Sequence, residues 1–271
     1  MVSLMTAEQP TQIHQARQIA ESFGLNAERY DRTRPRYPAA LVAAIVAASP
    51  GPDVLDVGSG TGISARQFMA AGCRVLGVEP DERMAEFARK TGVVSEVARF
   101  EDWDSAGRHF DAVIAGQAWH WVDPVAGAER AARVLRPGGQ LAVFWNGAQV
   151  PADLAEAFAT VYRQVLADLP FNPWARPAIE SYLTMAETAA DGMRQAGSFG
   201  EPEQWRFDWD LPYTRDDFLD QIPTTGGHSR LPPARLEALL AEMGTAIDAA
   251  GGSVPVQYAA LVLIAERNGA A

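Results

Sequence analysis

Cysteine and lysine are nearly missing from this 271-residue chain, which has only Cys73 and Lys90. A single thiol excludes an internal disulfide and a cysteine zinc cluster, so Cys73 is expected to be a buried structural thiol and no metal site is expected. No apolar run approaches the ~20 residues of a membrane span. The opening MVSLMTAEQPTQIH is too polar for a signal peptide. The expectation is a soluble cytoplasmic protein. Positive charge is also scarce, because 23 Lys and Arg face 34 Asp and Glu, a formal charge of −11. Such a chain repels phosphate backbones and anionic lipid, so neither nucleic acid nor membrane is expected as a partner. Hydrophobic residues make up 48% and charged residues 21%, the composition of a globular chain with its own core.

What is present is a strand–helix rhythm. A helix over 12–23 precedes a stretch crowded with Arg, Tyr and Pro, and Pro38 opens a helix over AALVAAIVAA. Short apolar strands follow at 53–58, 74–78, 93–98, 110–115 and 140–145, with helices at 63–71, 81–90 and 124–135 between them. Pro137-Gly138-Gly139 reads as the stop of the last of these helices. This alternation predicts a doubly wound, mostly parallel α/β sheet with helices on both faces. Beyond Trp145 helices are expected at 152–168, 177–196, near 214–221 and at 232–250. Trp205, Phe207, Trp209 and Leu211 alternate as in a strand, and 254–266 reads as a final strand.

The sharpest motif is VLDVGSGTG at 54–62. Glycines at 58, 60 and 62, directly after a strand, let backbone run close against a ligand. A dinucleotide loop would read G-x-G-x-x-G, but here the third glycine comes one residue early. Asp56 sits two residues before the first glycine, where a carboxylate repels a diphosphate and suits a nucleoside bearing a positive group. The second strand ends at Glu79-Pro80, which places an acid beside the glycine turn, able to accept both ribose hydroxyls.

LDVGSGTG with GVEP downstream resembles the class I S-adenosylmethionine-dependent methyltransferases. FDAV at 110–113 and VLRPGG at 134–139 extend the likeness. The N-terminal YDRTRPRYP and the AWHW at 118–121 resemble the small-molecule branch that includes trans-aconitate methyltransferase. Coverage is good over 25–145 and weak beyond. The resemblance implies a seven-stranded Rossmann-like sheet with its last strand antiparallel. It implies one domain over 1–271, with a core at about 39–145, 203–211 and 253–267 and a helical lid at about 146–200 and 212–250. S-adenosyl-L-methionine would be the cofactor. Gly58, Ser59, Gly60 and Gly62 would line its methionine and ribose, and Glu79 would hold the ribose hydroxyls. Pro80 and Met84 would pack near the adenine, the Phe100 backbone and Glu101 would meet its edge, and Gln117 would sit near the methionine. Arg99-Phe100 departs from the family pattern, which often has an acid before a small residue there.

Methyl transfer from a sulfonium is an in-line displacement, so most of the work is positioning. His120 is the candidate base for a protonated acceptor; an ionised carboxylate would need none. Tyr30, Tyr37, Trp119, Trp121 and Trp145 are candidates for an aromatic pocket, which suits a sulfonium, and His228 for facing it. Arg34 or Arg36 would pair with the methionine carboxylate or an acidic substrate. Phe171, Trp174, Phe199 and Tyr213 are further lining candidates. The expected function is methyl transfer to a small molecule, with oxygen as the acceptor atom. The rival readings are a non-catalytic S-adenosylmethionine-binding regulator and, against the glycine spacing, a nicotinamide oxidoreductase.

Overall fold

The computed structural model describes residues 23–168, 172–175, 178–225 and 228–269. The helix expected at 12–23 and Phe171 lie outside these residues or at their edge. A seven-stranded sheet forms the centre, in the order β3-β2-β1-β4-β5-β7-β6. The strands are β1 (Asp53–Val57), β2 (Arg74–Glu79), β3 (Val94–Val97), β4 (Phe110–Gly116), β5 (Leu135–Gln149), β6 (Glu203–Thr214) and β7 (Ser253–Glu266). β1 to β5 run parallel, and β7 runs antiparallel to both β5 and β6. The order reverses between β1 and β4. Ligands of open α/β sheets bind at the carboxyl ends of the strands at such a point.

The helices are α1 (Ala27–Thr33), α2 (Ala39–Ala48), α3 (Ile63–Ala70), α4 (Glu82–Lys90) and α5 (Pro124–Val134), then α6 (Ala152–Val165), α7 (Ala178–Ala196), α8 (Arg215–Gln221) and α9 (Pro233–Ala249). Local chemistry fixes their starts. The Asp81 carboxylate accepts the Arg83 N–H to cap α4, and Asp123 accepts from Val125 and Ala126 to cap α5. Glu82 in the first turn of α4 and Arg89 and Lys90 in its last turn both suit the helix dipole.

One buried layer packs Leu55, Val113, Val143 and Trp145 against α5 and α7. The opposite face packs Leu41 and Ile45 of α2 against Ile114, Phe144 and Val262. A third cluster joins α6, α8 and α9 to the upper ends of β6 and β7 around Phe158, Tyr162, Phe218 and Met243. Burying one such phenylalanine stabilises by several kcal/mol; truncation to alanine typically costs about 3–5 kcal/mol.

Several sequence expectations change here. Residues 178–196, assigned to the lid, instead bury Ala186, Ala189, Ala190 and Met193 in the main core as the outer helix beside α5. α1 forms where only a polar, proline-bearing stretch was expected, because Asn26 caps it at the Arg29 N–H. α5 ends at Val134, and Pro137-Gly138-Gly139 lies inside β5, which starts at Leu135 and whose pairing with β4 shifts register between Phe110 and Ala112. β3 is not covered on both faces: it is the sheet edge, and Val94 and Val97 are exposed.

Candidate active site

β1 delivers the chain into Gly58, Gly60 and Gly62, whose φ angles are +65°, +55° and +85°. L side chains are strained in this left-handed region by about 1–2 kcal/mol. A Cβ on Gly58 would lie 2.5 Å from the Ala118 Cβ, so the loops after β1 and β4 touch there. Above Gly60 the nearest atom to such a Cβ is the Met84 methyl at 3.6 Å, which leaves backbone open to a ligand.

Two buried carboxylates flank this loop. The Gly60 N–H donates to Glu79 Oε2 at 2.8 Å, and the Asp81 N–H donates to Oε1 at 2.9 Å. Burial, opposed by those two donors, raises the Glu79 pKa to about 7. Asp56 is fully buried at the end of β1. Its Oδ2 accepts from the Ser64 hydroxyl at 2.6 Å, while Oδ1 has no partner. Burial, with the Glu79 charge adding to it, raises the Asp56 pKa to about 7.

A buried carboxylate oxygen without a donor is costly and calls for an explanation. The hydroxyls of Ser59 and Thr61 in the same loop are also unpartnered. Open backbone, hydroxyl groups and two acceptor-only carboxylates match a nucleoside that carries a diol and a positive group. The residues present therefore fit S-adenosylmethionine: Glu79 could accept from the ribose, and the free Asp56 oxygen could face the cationic part.

The opposite wall comes from β4 and β5. Gln117 holds φ at +55°, a strained value for a side-chain-bearing residue. Its N–H donates to the Phe144 carbonyl at 2.8 Å, and its side-chain Nε2 donates to the Asn146 carbonyl at 3.2 Å. Tyr182 from α7 shares a hydrogen bond with the Gln117 side chain. Trp119, His120 and Trp121 form one turn of 3₁₀ helix. The Trp145 indole N–H donates to His120 Nδ1 at 3.2 Å, and the Trp121 ring lies 4.7 Å from the His120 ring. Burial lowers the His120 pKa to about 4. The ring is therefore neutral at pH 7, and because Nδ1 accepts, its one proton sits on Nε2. That atom donates; it has no free lone pair with which to act as the expected base.

Arg34 stands just past the end of α1. Its guanidinium lies 4.8 Å over the Tyr30 ring, and Nη2 donates to the Thr224 carbonyl. Its Nε is buried with no partner, and among the described residues no carboxylate pairs with it. Tyr37, Tyr182, Tyr213 and Tyr258 all have hydroxyl pKa values raised by burial and partly offset by the Arg34 charge. The Arg34 charge thus reaches all four buried hydroxyls. Arg36 instead pairs with Asp31 at 3.4 Å, and Asp31 also pairs with Arg66 of α3. Arg29 and Arg32 grip Asp220 of α8. α1 thus ties the cofactor-side helix α3 to the cover.

The sequence candidates sort as follows. Asp56, Gly58, Ser59, Gly60, Gly62, Glu79 and Met84 converge on the loop after β1. Pro80 is exposed beside Glu79, and Glu101 stands within 3.6 Å of Arg99. The Phe100 side chain is in the core beside Trp119, and Trp119 itself is 2% exposed against Gly127, so neither side chain is a pocket wall. Tyr37 is buried edge-on to Phe144, with its hydroxyl against Gly116. His228 is buried within the cover: its Nε2 accepts from the Tyr162 hydroxyl at 2.6 Å, and Nδ1 donates to the Thr225 carbonyl. Trp174 packs on Phe158, Phe199 lies in the main core, and the Tyr213 hydroxyl meets that of Tyr258 at 2.8 Å. Sequence reasoning missed Tyr182, Tyr258, Ser64 and Asn146. Ser64 was the legible one, one turn into the helix that follows the glycines.

A family model described as "Methyltransferase domain" matches residues 55–143. An uncharacterised methyltransferase of Mycobacterium bovis is 36% identical over 132 residues, which are 48% of this chain and 54% of the relative. The chain thus spans about half the length of that relative. A demethylmenaquinone methyltransferase of a Mycobacterium species is 30% identical over 192 residues, 66% of this chain and 81% of the relative. A solved chain from Anaeromyxobacter dehalogenans, assigned as a type II methyltransferase, superposes with a TM-score of 0.63 at 25% identity. That superposition covers 88% of this chain and 99% of the other.

Proposed function

The chain belongs to the class I S-adenosylmethionine-dependent methyltransferases, and from that premise we propose that it methylates an oxygen atom of a small acidic acceptor. The observation that carries this reading is Arg34: among the described residues no carboxylate pairs with it, its Nε is buried without a partner, and its charge reaches the buried hydroxyls of Tyr37, Tyr182, Tyr213 and Tyr258. S-adenosylmethionine, when bound, supplies an electrophilic methyl group on a sulfonium. Glu79 would accept from its ribose hydroxyls, and Asp56 would offer its free oxygen to the cationic end. Gly58, Gly60 and Gly62 would bring backbone against it, with Met84 near the adenine. Gln117, braced by Asn146 and Tyr182, would close the methionine end.

Arg34 holds the acceptor's carboxylate through its fork of donors. An ionised carboxylate is nucleophilic without losing a proton, which agrees with the His120 tautomer. His120 then orients the acceptor through its Nε2–H, and Trp121 and Trp145 keep water from the line of transfer. The same chemistry suits the small-molecule branch that YDRTRPRYP resembles. The demethylmenaquinone relative modifies an acceptor of another kind, and Arg34 is the feature that favours an acid here.

The test is turnover against a panel of small carboxylic acids and their neutral esters, read as S-adenosylhomocysteine formed. Acids that turn over while esters do not support the reading. Binding of S-adenosylhomocysteine with no turnover on any acceptor would instead identify a non-catalytic cofactor-binding protein.

A further inference from the structure

β6 is the second edge of the sheet. All twelve of its residues, Glu203–Thr214, pair with β7 in one unbroken register, without a bulge. Among the described residues nothing pairs with its outer side; α8 packs against it elsewhere. A long, regular, unpaired edge normally carries a device that blocks pairing. On β6 the proline Pro212 stands near one end and the charges at 206 and 208 are of opposite sign, while Trp205, Phe207 and Trp209 alternate along one face, each only half-buried. Arg206 and Asp208 project from the other face, with side chains 57% and 65% exposed.

The segment 202–212 reads P-E-Q-W-R-F-D-W-D-L-P. It is nearly symmetric about Phe207. If two copies of this strand run antiparallel with Phe207 opposite Phe207, then Trp205 stands opposite Trp209 and Arg206 opposite Asp208. Each of these pairings occurs twice. Directly opposed residues are the unit of sheet stabilisation, and aromatic and opposite-charge pairs are among the favourable ones. Pro202 stands opposite Pro212 at both ends of the ladder. Proline donates no N–H, so pairing stops there and the register cannot slide outward. A two-fold contact of this kind consumes the edge, so assembly closes at two copies and does not propagate.

We propose that the chain is a two-fold dimer joined by antiparallel pairing of β6 with β6 of a second copy, about Phe207, forming one continuous fourteen-stranded sheet. The pair of Arg206 and Asp208, 2.8 Å apart within one strand, exchanges partners across the axis when the dimer forms. The proposal is independent of the acceptor, because the paired segment 202–212 contributes no residue to the candidate active site; Tyr213 lies beyond it.

The test is the solution mass of the full chain at micromolar concentration, by light scattering after size exclusion and by sedimentation equilibrium. The expected mass is twice the 29.2 kDa of one chain. Asp208→Arg and Arg206→Asp each place like charges opposite one another twice per dimer and should raise the dissociation constant about tenfold. The double variant, with the two charges exchanged, restores the pairing and should return to the wild-type constant. Circular dichroism follows the fold of each variant. A monomeric wild-type chain overturns the proposal, as does a dimer indifferent to either reversal. So does a double variant no tighter than the singles, since that would mean the two residues do not face each other.

Discussion

Asp56 and Glu79 make cofactor affinity depend on pH in a direction that can be worked out in advance. Burial raises both pKa values to about 7 in the ligand-free protein. A bound diol and a positive group both favour the ionised carboxylates, so binding releases protons. Below pH 7 the proton must first be removed, at ~1.4 kcal/mol per pH unit for each group. At pH 5 that is ~2.7 kcal/mol, or about 100-fold in the dissociation constant for one carboxylate. Asp56 is raised partly by the charge of Glu79, so the two do not add fully, and a loss of about 100- to 1,000-fold between pH 8 and pH 5 is expected. Calorimetry with S-adenosylhomocysteine in two buffers of different ionisation enthalpy at pH 7 should show up to ~1 proton released per site. Stability runs the opposite way. Both folded pKa values lie above the unfolded values, so these groups favour the fold most at or below pH ~4. That contribution is lost as pH rises through about 7. Asp56→Asn should therefore raise the melting temperature of the ligand-free protein at pH 8 while weakening cofactor binding. A dissociation constant that stays flat from pH 5 to 8, with no buffer-dependent heat at pH 7, would refute the reasoning.

His120, with its pKa near 4 and its Nδ1 occupied, should give no histidine-like rise in turnover across pH 6–9. His120→Ala should lower turnover by about tenfold and not by the 10²–10⁴ of a lost general base; steady-state kinetics decides, and a larger loss that follows a pKa near 6.5 would reinstate the base. Gly58→Ala drives a Cβ to 2.5 Å from Ala118 and strains φ, so cofactor binding should vanish and the melting temperature should fall, by calorimetry and thermal denaturation. Arg34→Gln should raise the Michaelis constant for an acidic acceptor by about 10- to 100-fold; an unchanged constant would remove Arg34 from the acceptor site.

The cofactor side of the site was legible because it is built locally. Strand, glycines at 58, 60 and 62, and the acid at 79 all come from one βαβ unit, where chain spacing dictates spatial position. Backbone that must adopt positive φ leaves glycine in the sequence, and a buried acid interrupting an apolar strand is equally visible. The acceptor side was not legible in the same way. His120 stood out as a histidine between two tryptophans, but its tautomer is set by the Trp145 indole, 25 residues along the chain. Arg34 stands out in its Arg-Pro-Arg stretch, yet the buried tyrosines that feel its charge include residues of α7, β6 and β7, far along the chain.

The sequence alone determined the alternation of strands and helices, the left-handed loop after β1 and the acidic residues beside it, because each depends on short-range sterics, periodicity or capping. Only the tertiary structure decided that α7 belongs to the core and that Pro137-Gly138-Gly139 lies inside a strand. It also gives Arg34 no carboxylate partner among the described residues and leaves the His120 proton on Nε2. Those outcomes depend on which distant surfaces meet, and burial then sets the protonation and pairing of each group brought together.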